Sequence, residues 1–112
     1  MELDKRELPI LDYFNQEYGN TIDVYYLPGS CYYRIWNIIK DTQIGSLHIE
    51  NNGKCNVLYQ DSNSTDFIKR MFGVDDTNIQ NSFIKWLLIK SKCNTVEEFK
   101  NKIYNVSINP TS

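Results

Sequence analysis

The chain reads as an α+β domain: a four-stranded antiparallel meander preceded by one helix and followed by three helices, in the order α-β-β-β-β-α-α-α. Two observations predict this. From Thr21 to Gln60, β-branched and aromatic residues recur between turn signals, the strongest being Asn52-Gly53, whose residues tolerate the positive φ of a two-residue hairpin turn. Outside that stretch the apolar residues follow the 3.6-residue spacing of helices instead.

The first helix is announced by Pro9, whose missing N–H suits the first turn, and by Ile10, Phe14 and Tyr18 on one stripe. Gly19 is a natural left-handed terminator, so the helix has about ten residues and depends on the sheet for stability. The strands follow as Thr21–Leu27, Cys31–Lys40, Gln43–Glu50 and Lys54–Gln60. Turns at Pro28-Gly29, Asp41-Thr42 and Asn52-Gly53 suggest a register. In it Val24 lies opposite Tyr33, Asp23 opposite Arg34 as a charge-complementary pair, Trp36 opposite Leu47, and Leu47 opposite Leu58. Beyond the sheet, a short helix over Thr65–Phe72 stops at Gly73, and Asp75 caps a long helix over Asp76–Ser91. Thr95 with Glu98 three residues on forms a capping box for the last helix. Residues 1–112 make a single domain, with residues 1–8 and 105–112 expected to be loose.

The register divides the sheet into two apolar faces. One carries Val24, Tyr33, Ile35, Ile44, His48 and Val57; the other carries Tyr25, Tyr32, Trp36, Ile38, Leu47, Ile49 and Leu58, with Asp23 and Arg34 among them. A sheet with one solvated face alternates apolar and polar residues, and this one does not. Either helices cover both faces or a partner covers one.

At 112 residues, with 41% hydrophobic and 23% charged residues, the chain is long enough to bury a core without staples. A net charge of −2 disfavours nucleic acid, whose backbone is bound by Lys and Arg. Three cysteines without a CxxC pair, and a single histidine, argue against a zinc site. No apolar run is long enough for a membrane span and no signal peptide precedes the domain, so the expected compartment is the reducing cytoplasm.

His48 is the only histidine, so histidine chemistry rests on it, with Cys31 or Cys55 as the imaginable nucleophile. The plainer reading is a hydrogen-bonded sheet residue, with the cysteines as small hydrophobes. The acidic pairs Asp75-Asp76 and Glu97-Glu98 sit at helix starts, where capping and the helix dipole account for them. Gly45, inside a strand, marks a bulge or a close approach. The hairpin Gln43–Gln60 resembles the central hairpin of GNAT acetyltransferases. The glycine-containing pyrophosphate loop of that family has no counterpart in Asp61–Asp66, so no acetyl-CoA site and no other cofactor is assigned.

The leading functional reading is a small cytoplasmic protein–protein interaction module. Thirteen Asn and thirteen Ile suit an AT-rich coding sequence, and so an inhibitor of a host system encoded by a phage or mobile element. Its binding residues are Tyr25, Tyr32, Arg34, Trp36, Ile38, Leu47 and Ile49, meeting a protein partner or a second copy through the aromatic sheet face. The competing classes are a small Cys/His enzyme and a single-stranded nucleic-acid-binding sheet with bases stacked on Tyr25, Tyr32 and Trp36.

Overall fold

The computed structural model describes residues 5–19, 22–26 and 32–108, with side chains as far as residue 103. Helix α1 (Leu8–Glu17) leads into strands β1 (Ile22–Tyr26), β2 (Tyr32–Asn37), β3 (Thr42–Ile49) and β4 (Cys55–Tyr59). Helices α2 (Ser62–Phe72), α3 (Asp76–Ser91) and α4 (Val96–Ile108) follow. The strands form one antiparallel sheet in the order β1-β2-β3-β4. This is the α-β-β-β-β-α-α-α architecture that the residue periodicities predict. The Pro28-Gly29 turn and Cys31 lie outside the described residues.

Helix α2 begins three residues earlier than its apolar spacing implies, because Asp61 is the cap and accepts from the Ser64 N–H at 3.3 Å. Asp75 caps α3 by accepting from the Asn78 N–H at 2.9 Å. The capping box of α4 is offset by one residue. Thr95 Oγ1 accepts from the Glu98 N–H, and the Glu98 carboxylate accepts from Asn94 N–H at 2.8 Å. Within the termini expected to be loose, Glu7 pairs with Lys85 of α3 at 2.7 Å and α4 runs on to Ile108, while residues 1–4 and 109–112 lie outside the described residues.

All four helices contribute to one core on one face of the sheet. Tyr33, Ile35, Leu47, Val57 and Tyr59 meet Phe14 and Tyr18 of α1, Ile68 of α2, Phe83, Trp86 and Leu87 of α3, and Phe99 of α4. Phe14, Tyr59 and Phe83 form an aromatic knot with ring centroids 4.7–5.6 Å apart. Trp86 is buried and spends its indole N–H on Asn15 Oδ1 at 2.7 Å. A polar chain runs along the knot's edge. Tyr18 donates to Asp61 Oδ2 at 2.6 Å, leaving the Tyr59 hydroxyl to donate to Tyr18 at 2.6 Å, while Tyr13 donates to Ser64 Oγ at 2.8 Å. Helices α1 and α2 and strand β4 are thereby tied at one point, and no buried hydroxyl among the described residues is left unpaired.

The observed register differs from the predicted one at every hairpin. Val24 pairs with Ile35 and Asp23 with Trp36, a slip of two residues that leaves side chains on their expected faces. Asp23 and Arg34 are therefore diagonal neighbours and not a cross-strand pair. Between β2 and β3 a bulge shifts the register after Ile35, so Ile35 pairs with Gly45 and Tyr33 with Leu47. Between β3 and β4, Leu47 pairs with Val57 rather than Leu58. These odd shifts move Leu47 and Ile49 to the core face and His48 to the opposite one. Gly45 combines both roles foreseen for it. It adjoins the bulge, and an added Cβ would sit 2.4 Å from the Leu58 carbonyl oxygen and 3.1 Å from the Phe83 ring.

Candidate docking face

With every helix on the Ile35 side, the other face of the sheet is uncovered by the described chain. Its side chains fall into three cross-strand rows: Asp23, Trp36 and Gln43; Tyr25, Arg34, Ser46 and Leu58; Tyr32, His48 and Asn56. Tyr25 and Leu58, at the two outer strands, are 48% and 46% exposed, and Tyr32, Arg34 and Trp36 between them are half-buried by one another and the sheet. Four of the seven residues singled out from the sequence, Tyr25, Tyr32, Arg34 and Trp36, are thus brought together. Ile38 lies just beyond β2 in the β2–β3 turn, exposed beside the face. Leu47 is 0% exposed in the core, and Ile49 packs against that core from the same side, so neither reaches the docking face.

Leu58, Ser46, His48, Asn56 and Gln43 complete the face and are absent from the sequence-derived site. For Ser46 and His48 the available signal is Gly45, since a bulge beside it reverses the alternation of the β3 residues that follow, whereas Leu58 already falls on this face by the alternation of β4.

The turn at the end of the face is fixed in place. The Asn37 amide donates to the Glu17 carbonyl at 3.3 Å, its oxygen accepts from the Lys40 N–H at 3.1 Å, and Lys40 pairs with the Glu17 carboxylate. The Trp36 indole N–H reaches Asp41 Oδ1 at 3.3 Å, with Asp41 in the left-handed conformation at φ 53°. What this anchored turn presents to solvent is Ile38 and Ile39, the latter 77% exposed. A β-turn of free choice uses Gly, Asn or Asp at such positions.

Both outer strands carry a side chain on their own backbone. On β4, the Gln80 amide accepts from the Tyr59 N–H at 2.7 Å and donates to the Tyr59 carbonyl at 2.8 Å. On β1, the Asp23 carboxylate accepts from the Val24 N–H at 2.9 Å. These groups are withheld from a further strand, a standard protection of sheet edges.

Charge on the face is sparse. Arg34 is the one Lys or Arg among its strand residues, and its Nε is buried without a hydrogen-bond partner among the described residues. None of the ion pairs among those residues involves it. The nearby Asp23 carboxylate is engaged by Val24 N–H and by the Tyr25 hydroxyl, whose pKa that hydrogen bond raises above the ordinary tyrosine value.

The imagined Cys/His arrangement is not formed by Cys55. His48 pairs with Asn56 and so lies on the open face, while Cys55 pairs with Ile49 and lies on the core side. Burial, with the Glu97 carboxylate beside it, raises the Cys55 thiol pKa, the opposite of an activated nucleophile. Cys31 lies outside the described residues. Among the described residues no group of three or more His, Cys, Asp and Glu is placed to hold a metal ion, and no helix is long and apolar enough to cross a membrane. A cleft of about 540 Å³ opens away from the face, between Arg6, Pro9, Phe72 and Asn78. No family model, curated protein or solved structure compared with the chain matches it.

Proposed function

We propose that the protein is a protein–protein interaction module that docks through the open face of its sheet. The observation that carries this reading is the one-sided placement of the helices, which leaves Tyr25, Tyr32, Trp36 and Leu58 on a face that no described helix covers. Aromatic anchors with few charges are the composition of interface cores. Covering the exposed half of Tyr25 or Leu58 contributes about 1 kcal/mol each, since full burial of a large apolar side chain is worth roughly twice that. Trp36 is the central anchor, and the rigid Ile38-Ile39 turn extends the contact at one end. The blunted edges support recognition by the face over strand addition. Free Cys55 and Cys93 suit the reducing cytoplasm as the compartment. An origin in a phage or mobile element, acting on a host protein, is supported by composition alone.

The test is site-specific photo-crosslinking in extract of the source cells. A benzophenone amino acid in place of Leu58 should form a protein adduct that Trp36→Ala abolishes. The same group in place of Met71, exposed on α2, should form none. The reading is overturned if Leu58 gives no adduct, or one that is indifferent to Trp36→Ala.

A further inference from the structure

We infer that the partner presents a carboxylate side chain, set among apolar residues, to Arg34 at the centre of the open face. Arg34 lies on the inner strand β2, with Tyr25 beside it on β1, Ser46 beside it on β3, and Tyr32 and Trp36 before and after it on its own strand. A guanidinium offers five N–H donors in a planar fork and cannot shed its charge, so an unpaired one half-buried among aromatic rings is costly. Its Nε is buried with no acceptor, and no ion pair among the described residues includes it. The carboxylates that reach the face are all engaged elsewhere: Asp23, diagonal to it across the strands, accepts from Val24 N–H and the Tyr25 hydroxyl, Asp41 accepts from the Trp36 indole N–H, and Glu50 accepts from the Asn56 amide. The described residues thus supply the apolar surround and the cation, and none of them supplies the anion.

The sparse charge decides what kind of anion. A nucleic-acid strand carries a phosphate at every step and is held by several cations along a groove. Here the strand residues of the face supply one, with Asp23 in the neighbouring row. A single Asp or Glu within an otherwise apolar protein surface matches that count. An Arg–carboxylate pair closed off from water by Tyr25, Tyr32 and Trp36 is a bidentate, charge-assisted contact that fixes register as well as adding affinity.

This inference rests on the docking reading above, and the two fail separately. If the Leu58 adduct forms equally well in Arg34→Gln, the carboxylate anchor falls and the docking face stands; if Leu58 gives no adduct, the face itself falls. The direct probe is a library of random dodecapeptides selected on the purified protein. The expected result is that the selected peptides share an Asp or Glu between apolar residues. Their affinity should fall about tenfold or more with Arg34→Gln and likewise when that acid is replaced by its amide, with little further loss when both changes are combined. Arg70→Gln on α2 should leave it unchanged. In the isolated protein Arg34→Gln should hold or raise the melting temperature, because a half-buried charge whose Nε–H has no acceptor among the described residues is removed, whereas an arginine kept for folding would lower it. Selected peptides without an acid, peptides indifferent to Arg34→Gln, or salt-sensitive oligo-dT binding that quenches tryptophan fluorescence through Trp36 would each overturn the inference.

Discussion

The side-chain amide of Gln80 stands against Tyr59 as a further strand would, accepting its backbone N–H at 2.7 Å and donating to its carbonyl at 2.8 Å. Gln80 lies on α3, so one contact both closes the β4 edge and fixes the long helix relative to the sheet. Replacing Gln80 by Leu keeps the side-chain bulk and strands both backbone groups of a buried residue. The expected cost is about 1–3 kcal/mol in denaturant unfolding. Hydrogen exchange at the Tyr59 amide should accelerate in the variant by more than the global loss of stability accounts for. Exchange unchanged at that amide would remove Gln80 from the edge.

Gly45 is a second point where sheet and helix meet at backbone distance. A methyl group there would sit 2.4 Å from the Leu58 carbonyl oxygen, which belongs to the ladder, and 3.1 Å from the Phe83 ring, which is itself fully buried. Neither neighbour is the free end of a flexible side chain. Gly45→Ala should therefore destabilise by about 1–3 kcal/mol, despite the usual gain from restricting a glycine in the unfolded chain. A variant as stable as the parent would show that β4 can move away from β3 at little cost.

How far the sequence reveals this arrangement follows from which signals are local. The α3 boundaries and its buried face, Ile79, Phe83, Trp86 and Leu87, are legible because capping and 3.6-residue spacing are written in adjacent residues. The grouping of Tyr25, Tyr32, Arg34 and Trp36 is legible because a two-residue slip between β1 and β2 preserves the faces. The true neighbours of Leu47 are not, because they depend on a bulge opposite Ile35 and Trp36 that no alternation rule locates. Nor is the Arg34 Nε–H, which has no acceptor among the described residues. Asp23 has the right charge and nearly the right position, and only the register and its bond to the Val24 N–H show that it is turned elsewhere.

Alkali should act on the polar chain of Tyr18, Tyr59 and Asp61. Burial raises the pKa of both tyrosines well above the ordinary value near 10, with the neighbouring hydroxyl and the Asp61 contact adding to the rise at Tyr18. Below about pH 10 these hydroxyls are protonated in both folded and unfolded chains, and their contribution to stability is complete. Above it the unfolded chain releases protons that the folded chain retains, so stability falls as pH rises. Absorbance near 295 nm should accordingly show two of the tyrosines ionising only together with the loss of near-ultraviolet circular dichroism. Tyr18→Phe should lower stability at neutral pH by about 1–2 kcal/mol, since Asp61 and Tyr59 each lose a partner, and should flatten the alkaline slope. Ionisation of every tyrosine in a protein that stays folded would contradict the arrangement.

Leu47 and Leu58 offer the sharpest separation of core from docking face, because simple alternation makes them opposite partners and the sheet makes them residents of opposite sides. Leu47 pairs with Val57 and is wholly buried beneath the helices, whereas Leu58 pairs with Ser46 and stands half in solvent at the end of Arg34's row. Truncating Leu47 to Ala removes packed methyl groups from a dense core and should cost about 2–5 kcal/mol. Truncating Leu58 removes a side chain that touches little of its own fold, and the change should stay within about 0.5 kcal/mol. Binding should sort the other way. Under conditions where both variants are folded, peptides selected on the parent should bind Leu47→Ala as they bind the parent and should bind Leu58→Ala less tightly, by an amount that grows with how much of its exposed half they cover. Chemical denaturation paired with a peptide titration measures both halves of this on the same two samples. A Leu58→Ala variant that loses stability while keeping full affinity would place that side chain in the core and remove β4 from the face.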